Sequence, residues 1–373
     1  MTYEINTVDT PADFNRFIRM PWEIYRDHPC WIPPLISERK RFLNPKLNPF
    51  FEQAEVDLCL VLSANRTPVG RIAFIMNHAY NKFRSEKTGF FGMFESVNER
   101  EASSLLLDWA FNRCRDQGLD QLVGPVNLST NHECGLLVDG FDTPPMVGIP
   151  YNPPYYSELL EHWGLSKAKD LLSLKLEMTG IPEYLESAIS RLVKRNRFSV
   201  RPIRLDRFEE EVDIMWEVYN ASWSANWGFV PMSRREFVFS MKEVKIFIQP
   251  EYVLIAEVED KPAGFSLTLP DINQVLRKID GSLFPFGWAT FLWNKNKIHS
   301  YRVVALGVKK KYRRLGIDAY FYYEIYRQLL AGNIPWVDMS WVLEDNEDIL
   351  APIHRIGGTI YKRHRIYERA CAS

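Results

Sequence analysis

The feature that most constrains the fold is a pattern that occurs twice. Residues 56–77, VDLCLVLSANRTPVGRIAFIMN, alternate apolar and polar side chains, break at Pro68-Val69-Gly70, and alternate again. Residues 251–272, EYVLIAEVEDKPAGFSLTLPDI, do the same around Pro262-Ala263-Gly264. Alternation with a period of two and a Pro/Gly break reads as a β-hairpin turning at those residues. The flanking segments match as well. Each hairpin is followed by a strand (GFFGMFES; YRVVALGV), an amphipathic helix closed by glycine (residues 99–118; 314–332), and a short strand (LDQLVGPV; PWVDMSWV). A helix ending in glycine and a final strand complete each half, and a strand and helix open each one. The order β-α-β-β-β-α-β-α-β, twice, predicts an α/β fold with mixed sheets and two similar domains in tandem. The expected boundaries are 1–179 for the first domain, 180–197 for a connector and 198–373 for the second.

Composition narrows the function. The formal net charge is −1, so the chain as a whole is no polyelectrolyte binder and any basic site is local. Cys30, Cys59, Cys114, Cys134 and Cys371 are scattered, odd in number and without C-x-x-C spacing. That predicts a reducing compartment, with neither a disulfide framework nor a zinc site, and no metal. The N-terminal MTYEINTVDTPADF lacks the basic and apolar regions of a signal peptide, and no run approaches the ~20 apolar residues of a membrane span. A cytoplasmic protein is expected. Seven of the eleven tryptophans follow residue 215, which favours the second half for a large apolar cavity or interfacial surface.

Local basic charge concentrates in VKKKYRRLGID, Val308 to Asp318, between a predicted strand and a predicted helix. Backbone N–H groups at a helix N-terminus are unsatisfied and carry partial positive charge, so they attract pyrophosphate. A glycine in that turn admits close approach, and arginines add charge-assisted bonds. The plainer reading is a solvated basic run opening a surface helix. A nucleic-acid patch is the weakest, because no nucleic-acid-binding motif accompanies the run. The first half has the acidic FESVNEREAS at the same junction, unsuited to a pyrophosphate.

With this element order, Arg313-Arg314-Leu315-Gly316-Ile317-Asp318 resembles the Q/R-x-x-G-x-G/A motif of the GNAT superfamily of acyl-CoA-dependent N-acyltransferases. Asp318 stands where the family has glycine or alanine. WIPPL, NPFFEQAEV, VGRIAF, TGFFGMFE, GLLVDGFDTPPM and NPPYY extend the resemblance to bacterial tandem GNAT proteins, a group that some ceramide synthases resemble. The resemblance implies acyl-CoA or coenzyme A as a substrate and a small-molecule or lipid primary amine as acceptor; neither nucleic acid nor an obligate protein partner is expected. It implies an acetyl or long-chain acyl group, and a degenerate first domain with an acceptor or interface role. It places Leu306 and Val308 on the strand that offers a backbone N–H to the thioester, and Lys309, Lys310, Arg313, Arg314, Leu315, Gly316, Ile317 and Asp318 at the phosphates. Asn346 would open the helix facing the pantetheine arm. Seven residues on, the family often has a tyrosine acid; here Ile353 occupies the place with His354 beside it.

Amide formation also needs a proton acceptor for the amine. Glu344, at the end of SWVLED, and His132 and Glu133, in the long loop 124–156, are the candidates, with Glu344 and Glu133 preferred over Asp345. Each is also readable as an ordinary loop side chain. The insertion 271–301 carries Phe284, Phe286, Trp288, Phe291 and Trp293, with Lys295 and Lys297 beside them. It reads as core packing, as an acyl tunnel, or as a peripheral membrane contact, to which the basic stretch 191–204 would add. Two other functions compete: a non-catalytic acyl-CoA or lipid binder, suggested by Ile353 and Asp318, and a tRNA-dependent aminoacyl transferase, against which the R-x-x-G motif argues.

Overall fold

The computed structural model describes residues 2–195, 197–283, 287–294 and 297–371. Phe284, Phe286 and Lys295 lie outside them. The elements of the first half are β1 (Glu4–Thr7), α1 (Pro11–Arg19), α2 (Pro21–Ile24), α3 (Ile36–Phe42), β2 (Ala54–Leu62), β3 (Pro68–Asn77), α4 (His78–Arg84), β4 (Thr88–Ser96), α5 (Arg100–Asp116), β5 (Gln121–Gly124), β6 (Leu136–Asp139), α6 (Tyr156–His162) and β7 (Ser166–Glu177). Those of the second are α7 (Glu183–Arg195), β8 (Ser199–Pro202), α8 (Phe208–Trp223), α9 (Arg234–Val244), β9 (Val253–Val258), β10 (Lys261–Pro270), α10 (Asn273–Leu276), α11 (Gly287–Asn294), β11 (Ser300–Val308), α12 (Ile317–Ala331), β12 (Trp336–Leu343), α13 (Glu347–Arg355) and β13 (Thr359–Ala370). The duplicated order is therefore present, with short helices and, in the first half, the strand β6 added. Among the described residues no helix is long and apolar enough to cross a membrane.

The chain forms two compact units, and they do not follow a linear cut. The first comprises Met1–Leu171, Val275–Trp293 and Lys362–Ser373; the second comprises Leu172–Gln274 and Asn294–Tyr361. The expected boundaries at 179 and 198 miss two exchanges. The end of the last strand belongs to the first unit, where β13 pairs antiparallel with β5 through Tyr367↔Gly124 and Arg369↔Leu122. The insertion 275–293 joins the first unit too, through Trp22 Nε1 donating to Asp280 (3.0 Å) and Ile36 N donating to Gly281 O (3.0 Å).

In the first unit the strand order is β1-β2-β3-β4-β5-β13, with β6 also on β13. Helix α5 lays Ala102, Leu106, Ala110 and Cys114, at intervals of four, into the core with Ile72, Phe91 and Tyr156. In the second unit the order is β7-β12-β11-β10-β9-β8. Helix α12 buries Phe321, Ile325 and Leu329 at the same interval and stops at Gly332. Tyr301, Val303, Val337 and Met339 meet α12 and α13 on one sheet face. Val212, Met215 and Val218 of α8 pack with Phe265 and Val304 on the other.

Both hairpins form, but neither turns where a Pro/Gly reading puts it. The first turns through Ala64–Arg66, and Pro68 already opens β3. The second turns at Glu259-Asp260, with φ of 49° and 58°, the pair of positive φ values that a tight two-residue hairpin requires. Gly264 lies within β10, where a Cβ would approach Gly307 O to 2.8 Å. The helix expected near the start of the first half, in PADFNRFIRMPWEIYR, is split at Met20, because Pro21 opens a new turn.

Candidate active site

Strands β11 and β12 run parallel from Ser300↔Trp336 to Val303↔Met339 and pair no further, although β11 continues to Val308 and β12 to Leu343. The register of β11 with β10 steps from Val303 to Ala305, so Val304 is a bulge that bends β11 where the pair separates. Beyond that point the backbone groups of β11 that face β12 have lost their strand partner. The gap is a cleft of about 600 Å³. Leu306, Gly307 and Val308 form one wall and Ser340, Trp341 and Leu343 the other, with Ser222 and Trp223 from the end of α8, Trp227 from the turn after it, Asp318 and Tyr322 from α12, and Asn346 and Ile353 from the cap and body of α13.

Helix α12 opens onto this cleft. Gly316 adopts φ +81°, a left-handed value that favours glycine, and its carbonyl accepts the first intrahelical bond, from Tyr320 N at 3.0 Å. The N–H groups of Ile317 to Ala319 have no intrahelical acceptor. Asp318, in that first turn, complements the helix dipole. Two polar atoms in the cleft walls, Ser222 Oγ and Trp341 Nε1, are buried without a hydrogen-bond partner. A ligand with amide and phosphate groups fits such a site, since leaving a buried polar atom unpaired costs about 1–3 kcal/mol.

The basic run is put to more uses than phosphate contact. Lys309 is buried and pairs with Glu217 at 2.6 Å. Arg313 donates to Val308 O (3.3 Å) and Ser222 O (2.9 Å), tying the end of α8 to the junction. Lys310, Lys311 and Arg314 are exposed, and Leu315 and Ile317 pack in the core beneath. At Gly316 the left-handed φ itself disfavours a side chain, and a Cβ there would also stand 2.8 Å from the movable Cδ1 of Leu192 on α7.

Behind the cleft lies a polar cluster. Arg302 and Asp338 face each other in register one step before the strands part, and Ser340 is the first residue of β12 beyond the last pair. Asp338 is fully buried, and Arg302 and Ser340 nearly so. Ser340 Oγ donates to Asp338 Oδ1, and Tyr361 donates to Asp338 Oδ2 at 2.6 Å. Arg302 Nε donates to Ser340 Oγ at 3.0 Å and stands 3.8 Å from Asp338 Oδ1. Such a cluster in a strand centre is no bargain for stability, because apolar residues often serve as well. Buried ionisable groups beside a cleft are candidate functional groups. Sequence reasoning misses all four, since YRVVALGV, PWVDMSWV and TIYKRHRIYER read only as strands.

Known proteins complete the picture. No family model matches the chain. It is 38% identical over 374 residues to the bacterial ceramide synthase of Caulobacter vibrioides, covering 97% of this chain and 96% of that protein. It is 34% identical over 373 residues to Protein YghO of Escherichia coli, covering 98% and 95%. A solved tandem GNAT protein from the clavulanic acid biosynthesis pathway superposes with a TM-score of 0.58 at 11% identity, over 100% of this chain and 99% of that one. The chain belongs to the tandem GNAT acyltransferases. A GCN5-related N-acetyltransferase from Sphaerobacter thermophilus shares the fold, with a TM-score of 0.52 at 13% identity over 100% and 96% of the two chains.

The GNAT cleft takes in five of the residues expected at it, Leu306, Val308, Arg313, Asp318 and Asn346. It does not take in the catalytic candidates. Glu344 is outside the lining, and its neighbour Asp345 lies within it. His354 is exposed on α13 and bonds Gly358 O through Nδ1 (2.8 Å), while Ile353 faces the cleft. His132 and Glu133 belong to the first unit and have partners there. Burial pushes the Glu133 carboxyl up, but Arg39, at 2.9 Å, and Asn127, at 3.1 Å, bring it below the usual range. His132 lies between Phe42 and Phe50, and burial lowers its pKa to about 4, so it stays neutral. Both hold the loop together.

The corresponding place in the first GNAT unit is closed by its own chain. Strands β4 and β5 pair only from Thr88↔Gln121 to Phe90↔Val123. The following residues then run along β4: Val126 N donates to Phe91 O (2.7 Å) and Met93 N to Asn127 Oδ1 (2.7 Å). This approach needs glycine on both strands. A Cβ on Gly92 would lie 2.2 Å from Val126 O, and one on Gly124 2.3 Å from Phe91 O.

Proposed function

We propose that this chain transfers an acyl group from coenzyme A to a primary amine, and that the acceptor is a long-chain lipid base. The observation that carries the reading is the open, bulged gap between β11 and β12 with the free N-terminus of α12 at its mouth. The helix end suits a pyrophosphate, and the unpaired edge of β11 suits the amides of a pantetheine arm and a thioester oxygen. The amine acceptor is taken from the relative named as a ceramide synthase. Helix α11 supports contact with a lipid surface, because Trp288, Leu292 and Trp293 are 52%, 52% and 77% exposed. Ile353, where many family members have an acid, favours a second reading as an acyl-CoA binder without turnover.

Two measurements test this. Coenzyme A should raise the melting temperature by mass action, and the absence of any shift at millimolar concentration would remove the acyl-CoA reading. Thiol release from palmitoyl-CoA and from acetyl-CoA, assayed with sphinganine and with short amines, then separates transferase from binder. Turnover only with short amines overturns the lipid acceptor, and binding without turnover establishes the second reading.

A further inference from the structure

The two faces of the second unit's sheet give the cleft two sides. Val337 and Met339 point to the face covered by α12 and α13. Side chains alternate along a strand, so Asp338 and Ser340 point to the opposite face, which α8 covers. The bond from Ser340 Oγ to Asp338 Oδ1 agrees with that placement. The helix end suited to phosphate therefore lies on one face, while the Ser340–Asp338 pair shares the other with Ser222, Trp223 and Trp227. An acceptor that approaches the thioester from the side opposite the cofactor enters the side on which Ser340 lies.

We propose that Ser340 and Asp338 form a proton relay, with Ser340 touching the acceptor amine and Asp338 taking up the proton. The proposal rests on the acyl-transfer reading above. As the amine nitrogen bonds to the thioester carbon and the carbon–sulfur bond breaks, the nitrogen gives a proton to Ser340 Oγ, and Ser340 gives its own to Asp338 Oδ1. The thiolate leaves as coenzyme A and regains that proton by the reverse path, so charge and atoms balance without an acid at position 353. Arg302 and Tyr361 are positioning residues. The Arg302 guanidinium fixes the serine rotamer through its bond at 3.0 Å, and the Tyr361 hydroxyl holds the second carboxylate oxygen at 2.6 Å. Residues from β11, β12 and β13 thus hold one carboxylate and one hydroxyl at the point where the cleft begins.

The test uses the full chain with palmitoyl-CoA and sphinganine. Ser340→Ala should lower kcat about 100-fold or more, the usual worth of a positioned proton acceptor, with KM for palmitoyl-CoA within about twofold. Ser340→Thr keeps the hydroxyl and should recover most of the rate. Asp338→Asn keeps the shape and should fall as far as Ser340→Ala. A Ser340→Ala enzyme within about threefold of wild type overturns the relay, as does a Ser340→Thr enzyme that binds coenzyme A normally yet stays as slow as the alanine variant. Wild-type protein that binds palmitoyl-CoA but turns over no amine overturns the acyl-transfer reading, and the relay with it.

Discussion

Replacing Gly92 by alanine probes how the first unit closes its own gap. The added Cβ would stand 2.2 Å from Val126 O and 2.8 Å from Val126 C. An ordinary carbon–oxygen contact is about 3.3 Å, so the backbone must separate by about 1 Å. The two bonds that hold it, Val126 N to Phe91 O and Met93 N to Asn127 Oδ1, are each 2.7 Å. Lengthened by about that amount, both leave hydrogen-bond range. Their loss costs about 0.5–1.5 kcal/mol each, and overpacking adds about 1–3 kcal/mol. The expected destabilisation is about 2–6 kcal/mol, which for a unit of this size lowers the melting temperature by about 4–24 °C. Differential scanning calorimetry reads it directly. Coenzyme A affinity should not change, because every residue lining the cleft belongs to the second unit. A shift under about 1 °C would show that segment 125–128 is not held against β4, and the account of the closed gap would fall.

Two further outcomes follow. Asp318→Asn should tighten coenzyme A binding about two- to fivefold in isothermal titration, because it removes a carboxylate from the helix end that would receive the phosphates, at a loss of about 0.3–1 kcal/mol in ligand-free stability; unchanged or weaker binding would put the phosphates elsewhere. Asp170 is bonded by Arg365 (2.8 Å), Arg363 (3.0 Å) and Lys167 (3.1 Å); burial alone would raise its carboxyl, but these donors lower it from 3.8 to about 2. Its contribution is therefore complete above about pH 4 and is lost as pH falls towards 2. The partly exposed guanidinium partners limit it to about 1–2 kcal/mol, so urea unfolding of Asp170→Asn between pH 2 and pH 5 should show that much less pH dependence than wild type.

What the sequence reveals is what depends on neighbours along the chain. Period-two alternation, amphipathic spacing and closing glycines give the duplicated order, and R-x-x-G between a strand and a helix locates the cleft. The hairpin turns are misread because Pro and Gly are assumed to mark them, whereas Glu259 and Asp260 adopt positive φ themselves. Glu344 and Asp345, like Ile353 and His354, show how one position decides which side chain meets the cleft. The Arg302–Asp338–Ser340–Tyr361 cluster depends on three strands coming into register across long separations, which no local pattern encodes. Gly316 reads from sequence as a close-approach residue, and the structure adds the positive φ and the neighbouring Leu192.

The strand exchange also bears on how the protein is made. Residues 362–370 follow the whole of the second unit in sequence, yet they supply the strand that pairs with β5 and β6. A ribosome releases β1 to β6 long before it releases their partner. Until then the edge of β5 is unpaired and open to other chains. The first unit therefore cannot be finished until the second has been synthesised, and a truncation before residue 362 would damage the first unit as well as the second.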